Sequence, residues 1–316
     1  MATLRQCLII DPMHPSIFEM LGSIGWKGVD VSSRSLEEIR PIIPNYEGLL
    51  VRTRTRVDVN LLGEQPTLKF VARAGAGLDN IDLPFLEQHN IQVVHASEGN
   101  RDAVGEFAVG SLLSLLRNIP KADQEVRSSV WLREENRGDE LMGKTIGIIG
   151  YGNMGRAFAK RLSGFSCRVL AYDKYKENFS DDFASQASLE ELKQETDILS
   201  LHVPLTDETR GMISIEFLEQ FKRRLVFVNT ARGELVTLAT LAASIKSGRL
   251  RGAVLDVLEN EKLTLLSEQQ QEAFTYLRNQ HSVLFTPHIA GWTFESHYKI
   301  NQILVQKLQA LGFGDR

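Results

Sequence analysis

Short apolar runs closed by Gly, Asp, Asn or Pro recur along this chain with stretches of helical spacing between them, and that alternation constrains the fold more than any other feature. Buried strands that alternate with helices lead to parallel sheets covered on both faces. The runs are Cys7–Ile10, Gly48–Val51, Leu68–Ala72, Ile91–Val94, Thr145–Ile149, Arg168–Ala171, Asp197–Leu201, Leu225–Val228, Gly252–Leu255 and Ser282–Phe285. A seam divides them after the fourth. There, Asp102 to Ile119 carries Val104, Phe107, Ala108, Ser111, Leu112, Leu115 and Leu116 at helical spacing and stops before Pro120, which predicts a long helix between two sheets. The polar stretch Lys121–Gly143 leads into the second set. A further helix is expected over Thr293–Leu311, packed back on the opposite domain, and Glu268–Glu272 reads as one helix face. Capping boxes at Ser35/Glu38 and Ser188/Glu191 mark two more helix starts. With 316 residues the chain has room for two domains. The expectation is an α/β protein of two Rossmann-like or flavodoxin-like doubly wound parallel-sheet domains joined by long helices. One domain comprises residues 1–98 plus 290–316 and the other 99–289.

Composition narrows the functional classes. A net charge of −4 offers no general attraction for nucleic acid or anionic lipid, and no apolar run reaches the roughly 18 residues of a membrane span. The opening MATLRQCLIIDP reads as a first buried strand rather than a secretion signal, so a cytoplasmic protein is expected. Cys7 and Cys167 are too few for a disulfide framework or a zinc cage, and the seven histidines form no His-x-x-x-His pair on a helix. No metal is expected.

Lys144 to Gly155 is a strand running into Gly-x-Gly-x-x-Gly, with Arg156–Leu162 at helical spacing behind it. In that context Gly150 permits the tight turn, Gly152 lets the backbone approach a pyrophosphate, and Gly155 allows close helix–strand packing. The helix N-terminus then turns free N–H groups toward the anion. The next strand ends in Asp173, whose carboxylate suits the two ribose hydroxyls of adenosine and repels a 2′-phosphate, so the expected cofactor is NAD rather than NADP. Lys174, directly behind, could soften that discrimination.

Three further clusters, Val228–Glu234, Leu255–Glu261 and Thr286–Gly291, each lie just past the carboxyl end of a strand, where ligands bind in such sheets. They bring an Arg, carboxylates and a His to one edge. Arg232 can clamp a carboxylate and carbonyl, a carboxylate can raise the pKa of His288, and an imidazolium can hand a proton to a developing alkoxide as hydride arrives. Singly, an Arg after a strand is more often a surface charge and a His after Pro a loop hydrogen-bonder. Their joint occurrence after a dinucleotide cradle reverses that weighting.

At these residues the chain resembles the D-isomer-specific 2-hydroxyacid dehydrogenase family, and within it the short D-3-phosphoglycerate dehydrogenases. The resemblance runs through Val51–Arg56, Arg73–Asp82, the cradle, His202–Leu205, Asn229–Gly233 and Pro287–Gly291. It implies Arg232, Glu261 and His288 as the catalytic Arg, Glu and His. It implies NAD contacts at Gly150, Gly152, Asn153, Met154, Gly155, Asp173, Val203, Pro204, Thr230, Ala231, Asp256, Ala290 and Gly291, with Asp256 near the carboxamide and Ala76 on the nicotinamide side. The Gly75–Ala76–Gly77 turn would present N–H groups to the substrate carboxylate. The segments 1–98 and 290–316 would form the substrate domain, 99–289 the NAD-binding domain, and homodimers would form through the latter. The implied reaction is hydride exchange between NAD and a D-2-hydroxyacid, with 3-phospho-D-glycerate favoured. The alternatives are a hydroxypyruvate, glyoxylate or D-lactate reductase, and an NAD-sensing interaction protein like the family's corepressor relatives.

The chain also departs from the family pattern. Lys262 stands where Pro is usual, and a long segment with Phe274, Leu277 and Leu284 as apolar anchors precedes His288. Glu259 rivals Glu261 as partner of the histidine; Glu261 is favoured because its separation from Arg232 matches the family. His202 is expected to line the cofactor pocket. Arg52, Arg54 and Arg56 follow Gly48–Val51 in alternation, so all three point to one face if the strand continues. Crowded like charges call for an anion or acidic neighbours, and the alternative is a solvated edge strand whose charges deter aggregation. The resemblance assigns Arg52 and Arg54 to a substrate phosphate, together with Arg232 and His288 at the reacting end.

Overall fold

The computed structural model describes residues 5–314, so Met1–Leu4 of the expected opening strand lie outside the described residues. The chain divides into two compact units, Met1–Arg101 with Trp292–Arg316 and Asp102–Gly291. The first holds β1 (Arg5–Ile9), β2 (Trp26–Asp30), β3 (Gly48–Val51), β4 (Phe70–Arg73) and β5 (Gln92–His95) in the order β2-β1-β3-β4-β5. The second holds β6 (Thr145–Ile149), β7 (Arg168–Tyr172), β8 (Ser185–Gln186), β9 (Ile198–Leu201), β10 (Leu225–Asn229), β11 (Leu250–Leu255) and β12 (Val283–Phe285) in the order β12-β11-β10-β9-β6-β7-β8. All pairings are parallel. The winding direction reverses between β1 and β3 in one sheet and between β6 and β9 in the other. At such switch points the loops beyond the strand ends part and leave a crevice.

Both sheets are buried on both faces, which is why their strands read as continuous apolar runs. Along the first sheet, Cys7, Ile9, Leu50, Phe70 and Ala72 pack on one side, and Leu8, Ile10, Leu49, Val51 and Val71 on the other. In the second, Leu199, Leu201, Phe227 and Leu255 oppose Ile146, Ile148, Val226 and Val254. Side chains alternate faces along a strand, so each run feeds two cores. The helix Phe294–Leu308 belongs to the first unit. Its Ile300, Leu304 and Leu308 join the cluster of Cys7 and Ile9, and Asn301 Nδ2 donates to His14 O at 2.9 Å.

Gly48–Val51 and Thr145–Ile149 form strands with the expected bounds, and the other runs shift by a residue or two. Two edge strands are absent from the apolar runs. β2 (Trp-Lys-Gly-Val-Asp) and the two-residue β8 (Ser-Gln) carry polar residues and so lack the apolar signature. The long helix runs over Ser97–Leu116 rather than Asp102–Ile119, and a second helix, Ile119–Arg127, occupies part of the stretch expected only to be a polar connection. Asn118 adopts the left-handed conformation (φ 52°) and restarts the chain. Pro120 then sits in the first turn of the new helix, where its missing N–H costs nothing. The C-terminal helix ends at Leu308 instead of Leu311 and gives way to a turn, Gln309–Phe313, in which Gly312 has φ 83°. Both expected capping boxes form.

Candidate active site

The cradle grows out of β6. Gly150 has φ 93°, a conformation that favours glycine, and a Cβ there would lie 2.6 Å from His202 O and 2.9 Å from Val203 Cγ1. At Gly155 a Cβ would come within 2.1 Å of Gly150 O, so only glycine lets the helix Asn153–Leu162 close onto its strand. Gly152, in contrast, faces open space. Asn153 and Met154 open that helix, with its first N–H groups unsatisfied by the helix itself. Asp173 leaves β7 with Oδ2 accepting from Tyr151 N at 2.9 Å and Oδ1 from Tyr175 N at 3.1 Å. Each carboxylate oxygen keeps a lone pair for a hydroxyl. Thr230 Oγ1 is buried with no hydrogen-bond partner. Open space at Gly152, an oriented carboxylate and an unsatisfied buried hydroxyl together fit a dinucleotide. Val203 and Pro204 follow β9, and Thr209 Oγ1 fixes the loop by donating to Pro204 O at 2.7 Å.

His202, expected to line the pocket, turns its ring against Phe158, with centroids 5.4 Å apart, and its Nε2 pairs with Ser200 Oγ at 2.9 Å. Burial pushes its pKa down to about 3, so it stays neutral.

The residues expected to do acid–base work lie past β10, β11 and β12. His288 Nδ1 lies 2.9 Å from Glu261 Oε1, both side chains about half exposed. The hydrogen bond from Glu261 raises the histidine pKa above its ordinary value, outweighing desolvation and the nearby positive charge of Arg232, which lower it. Arg232 follows β10, and its Nη1 donates to Ala231 O at 2.7 Å. Glu259 goes elsewhere. Its Oε2 accepts the Leu238 N–H at 2.8 Å and so caps the helix Leu238–Lys246.

His288 itself sits at φ 56°, a left-handed conformation costly for most residues. Its N–H donates to Asp256 O at 2.8 Å. The carboxylate of Asp256, 1 % exposed, takes Thr286 Oγ1 (2.7 Å) and Ile289 N (2.9 Å) on Oδ1 and Ala290 N (2.8 Å) on Oδ2. Asp256 therefore organises the turn that carries His288, and Gly291 closes that turn. On the Arg232 side, buried Asn229 plays a similar part: its Nδ2 donates to Arg232 O at 2.8 Å and its Oδ1 accepts from Ala231 N at 3.0 Å. Gly233 completes the arrangement, since a Cβ there would meet Leu258 O at 1.9 Å. Asn229 and Thr286 lie within the clusters that the sequence marks but have no role of their own there; a polar residue closing an apolar strand is the available signal.

The first unit carries the remaining expected residues. The Gly75–Ala76–Gly77 turn follows β4, with Gly75 at φ 149° and its O accepting from Ala96 N at 3.0 Å. The arginine alternation fails, because β3 ends at Val51 and residues 52–56 form no strand, with a bend over 53–55. Arg52 N–H donates to Asp11 Oδ2 at 2.5 Å, its Nη1 to Pro12 O at 3.1 Å, and its guanidinium lies over the Trp292 ring at 4.4 Å. Arg54 instead holds the carbonyls of Ile10 (3.1 Å), Ser32 (2.9 Å) and Arg34. Arg56 pairs with Asp58 and Asp82. The three do not share a face: backbone carbonyls and acidic neighbours draw them apart once the pleat stops. Asn80 Nδ2 ties the loop by donating to Arg52 O and Thr55 O.

Lys262 precedes a short turn, Leu263–Leu265, and the helix Glu268–Arg278, whose Phe274 packs edge-on against Phe285 of β12, centroids 5.6 Å apart. Among the described residues no group of three His, Cys, Asp or Glu side chains is placed to hold a metal, and no helix is long and apolar enough to cross a membrane.

Residues 109–290 match the family model described as D-isomer specific 2-hydroxyacid dehydrogenase, NAD binding domain. A hydroxypyruvate reductase of Thermotoga maritima is 35% identical over 300 residues, covering 94% of this chain and 95% of its own. A D-3-phosphoglycerate dehydrogenase of Archaeoglobus fulgidus is 34% identical over 309 residues, 97% of this chain; this chain spans only 57% of the length of that relative. Among solved structures, a D-lactate dehydrogenase from Aquifex aeolicus, complexed with NAD and lactic acid, is similar with a TM-score of 0.81 at 28% identity, over 98% of this chain and 95% of that one.

Proposed function

The chain belongs to the D-isomer-specific 2-hydroxyacid dehydrogenase family, with NAD as cofactor, and from that premise we propose that it oxidises and reduces a D-2-hydroxyacid/2-oxoacid pair, 3-phospho-D-glycerate and 3-phosphohydroxypyruvate, on the route to serine. The observation that carries the reading is the His288–Glu261 pair beside the charge of Arg232 at the carboxyl edge of the second sheet. Bound NAD supplies the hydride acceptor in oxidation, and NADH the donor in reduction. With Nδ1 engaged by Glu261, Nε2 is the ring atom left to exchange a proton: it takes the hydroxyl proton in oxidation and returns it to the oxoacid oxygen in reduction. Glu261 stabilises the imidazolium between those events. Arg232 holds the substrate carboxylate and polarises the carbonyl.

Arg52, braced by Trp292 and Asp11, is the residue best prepared for a phosphate, and Arg54 is the second candidate. The carbonyls that hold Arg54 favour a second reading, hydroxypyruvate reduction, in which no phosphate is bound. The Thermotoga relative bears that name. Steady-state kinetics on phosphohydroxypyruvate, hydroxypyruvate, glyoxylate and pyruvate with NADH separate the two. A higher kcat/KM for the phosphorylated acid, lost in Arg52→Ala while hydroxypyruvate turnover holds, supports the first reading. Preference for hydroxypyruvate establishes the second, and no turnover of any 2-oxoacid leaves the NAD-sensing role.

We further propose a homodimer formed through the second unit, where Ile119, Val126, Trp131, Leu132 and Met142 are exposed. Sedimentation of the protein and of Trp131→Glu tests this, with a monomer in the variant as the expected result. Free Cys7 and Cys167 suit the reducing cytoplasm.

A further inference from the structure

The loop that carries Asp173 and the helix that follows Tyr151 also carry three cations, and each is already engaged. Lys176 Nζ donates to Tyr151 O at 2.7 Å. Arg156 Nε is 2.7 Å from Asp181 Oδ2, with its guanidinium over the Phe183 ring, and Asp181 is itself fixed by the Tyr151 hydroxyl at 2.8 Å. Lys174, next to Asp173, pairs with Glu208, whose other oxygen accepts the Tyr175 hydroxyl at 2.8 Å. Lys174 leaves the end of β7, Glu208 lies in the loop after β9, and β6 runs between those two strands. The bridge thus joins the loops on either side of the cradle.

We infer that Glu208 is a cofactor-specificity residue, which keeps the site closed to a 2′-phosphorylated dinucleotide by holding Lys174 away from the adenosine ribose. A 2′-phosphate beside Asp173 meets like charge, and a dinucleotide bearing it is tolerated only where a cation offsets that repulsion. Lys174 is the nearest such cation in sequence, on a flexible stem able to reach a phosphate. Glu208 offsets its charge and holds its ammonium through one of the three N–H donors, while the tyrosine hydroxyl fixes the orientation of Glu208. The two ionised partners stabilise each other's charge, which raises the pKa of Lys174 and lowers that of Glu208. Discrimination therefore has two parts. Asp173 repels the phosphate, and Glu208 withholds the counter-ion that would rescue it.

This inference rests on the NAD reading of the cradle. Its test is fluorescence titration of the full chain with NADH and with NADPH, free of substrate, for wild type, Glu208→Gln, Glu208→Ala and Lys174→Gln/Glu208→Gln. The expected result is a fall in the ratio of NADPH to NADH dissociation constants of roughly three- to fivefold in both single variants, the size of one partly exposed charge pair. The double variant should return to the wild-type ratio. An unchanged ratio in both single variants, with NADH still bound, overturns the inference, as does a gain that survives the loss of Lys174. Failure of the wild-type protein to bind NADH at all would instead overturn the cofactor reading beneath it.

Discussion

His288 Nδ1 and Glu261 Oε1 lie 2.9 Å apart, while Glu259, two residues earlier, turns away to cap the helix Leu238–Lys246. Two carboxylates of the same loop are thereby given different work, and replacing each should have a different signature.

Glu261→Gln removes the charge that raises the His288 pKa. Reduction of a 2-oxoacid uses the protonated ring, so the alkaline fall in kcat/KM should begin at lower pH in the variant. Oxidation uses the neutral ring, and its acidic limb should move to lower pH as well. Glu259→Ala should leave both limbs in place and instead cost about 1 kcal/mol of stability through the lost hydrogen bond to Leu238 N–H, read by urea denaturation. A reversal of these two outcomes would transfer the partner role to Glu259.

His288→Asn is the cleaner probe of the histidine, because Asn tolerates the left-handed backbone at φ 56° better than Ala does. Turnover should fall by roughly 10²–10⁴, the usual worth of a general acid–base group. NADH affinity, measured by fluorescence, should stay of the same order, since the cradle lies on other loops.

Asp256→Asn keeps the size of the side chain but turns one acceptor into a donor against Ala290 N–H, Ile289 N–H or Thr286 Oγ1. In so buried a site the conflict should cost about 1–3 kcal/mol of unfolding free energy. The turn holding His288 loosens with it, so kcat should drop roughly 10- to 100-fold. Full activity together with full stability would show that Asp256 does not organise the turn.

Asp173→Ala should weaken NADH binding by roughly tenfold or more through lost charge-assisted hydrogen bonds to the ribose hydroxyls. It should also narrow the gap to NADPH by removing like charge. Isothermal titration with both dinucleotides checks this, and a wild-type protein that binds NADPH more tightly would contradict the NAD assignment.

The substrate end shows where sequence periodicity stops being informative. Arg52, Arg54 and Arg56 alternate as in a strand, yet the strand ends at Val51, and each guanidinium then follows its own nearest acceptors. Alternation predicts a common face only while the pleat persists. Pro120 is a comparable case: after an apolar helical run it predicts a helix stop, but a left-handed Asn118 makes it part of a helix start.

Sequence by itself determined the two parallel sheets, because strands buried on both faces must be apolar along their length, and only the polar edge strands β2 and β8 lacked that mark. It also determined the glycine cradle, since φ 93° at Gly150 favours glycine and a Cβ at Gly155 would lie 2.1 Å from Gly150 O. The sequence favours Glu261 over Glu259 through its separation from Arg232, and tertiary structure decided the contact that this residue makes with His288, that Asp256 commits its carboxylate to the turn beneath the histidine, and that Glu208 reaches Lys174. Those outcomes join loops far apart in the chain, and a hydrogen bond depends on distance and angle in space, which the folded sheets set and local residue order does not.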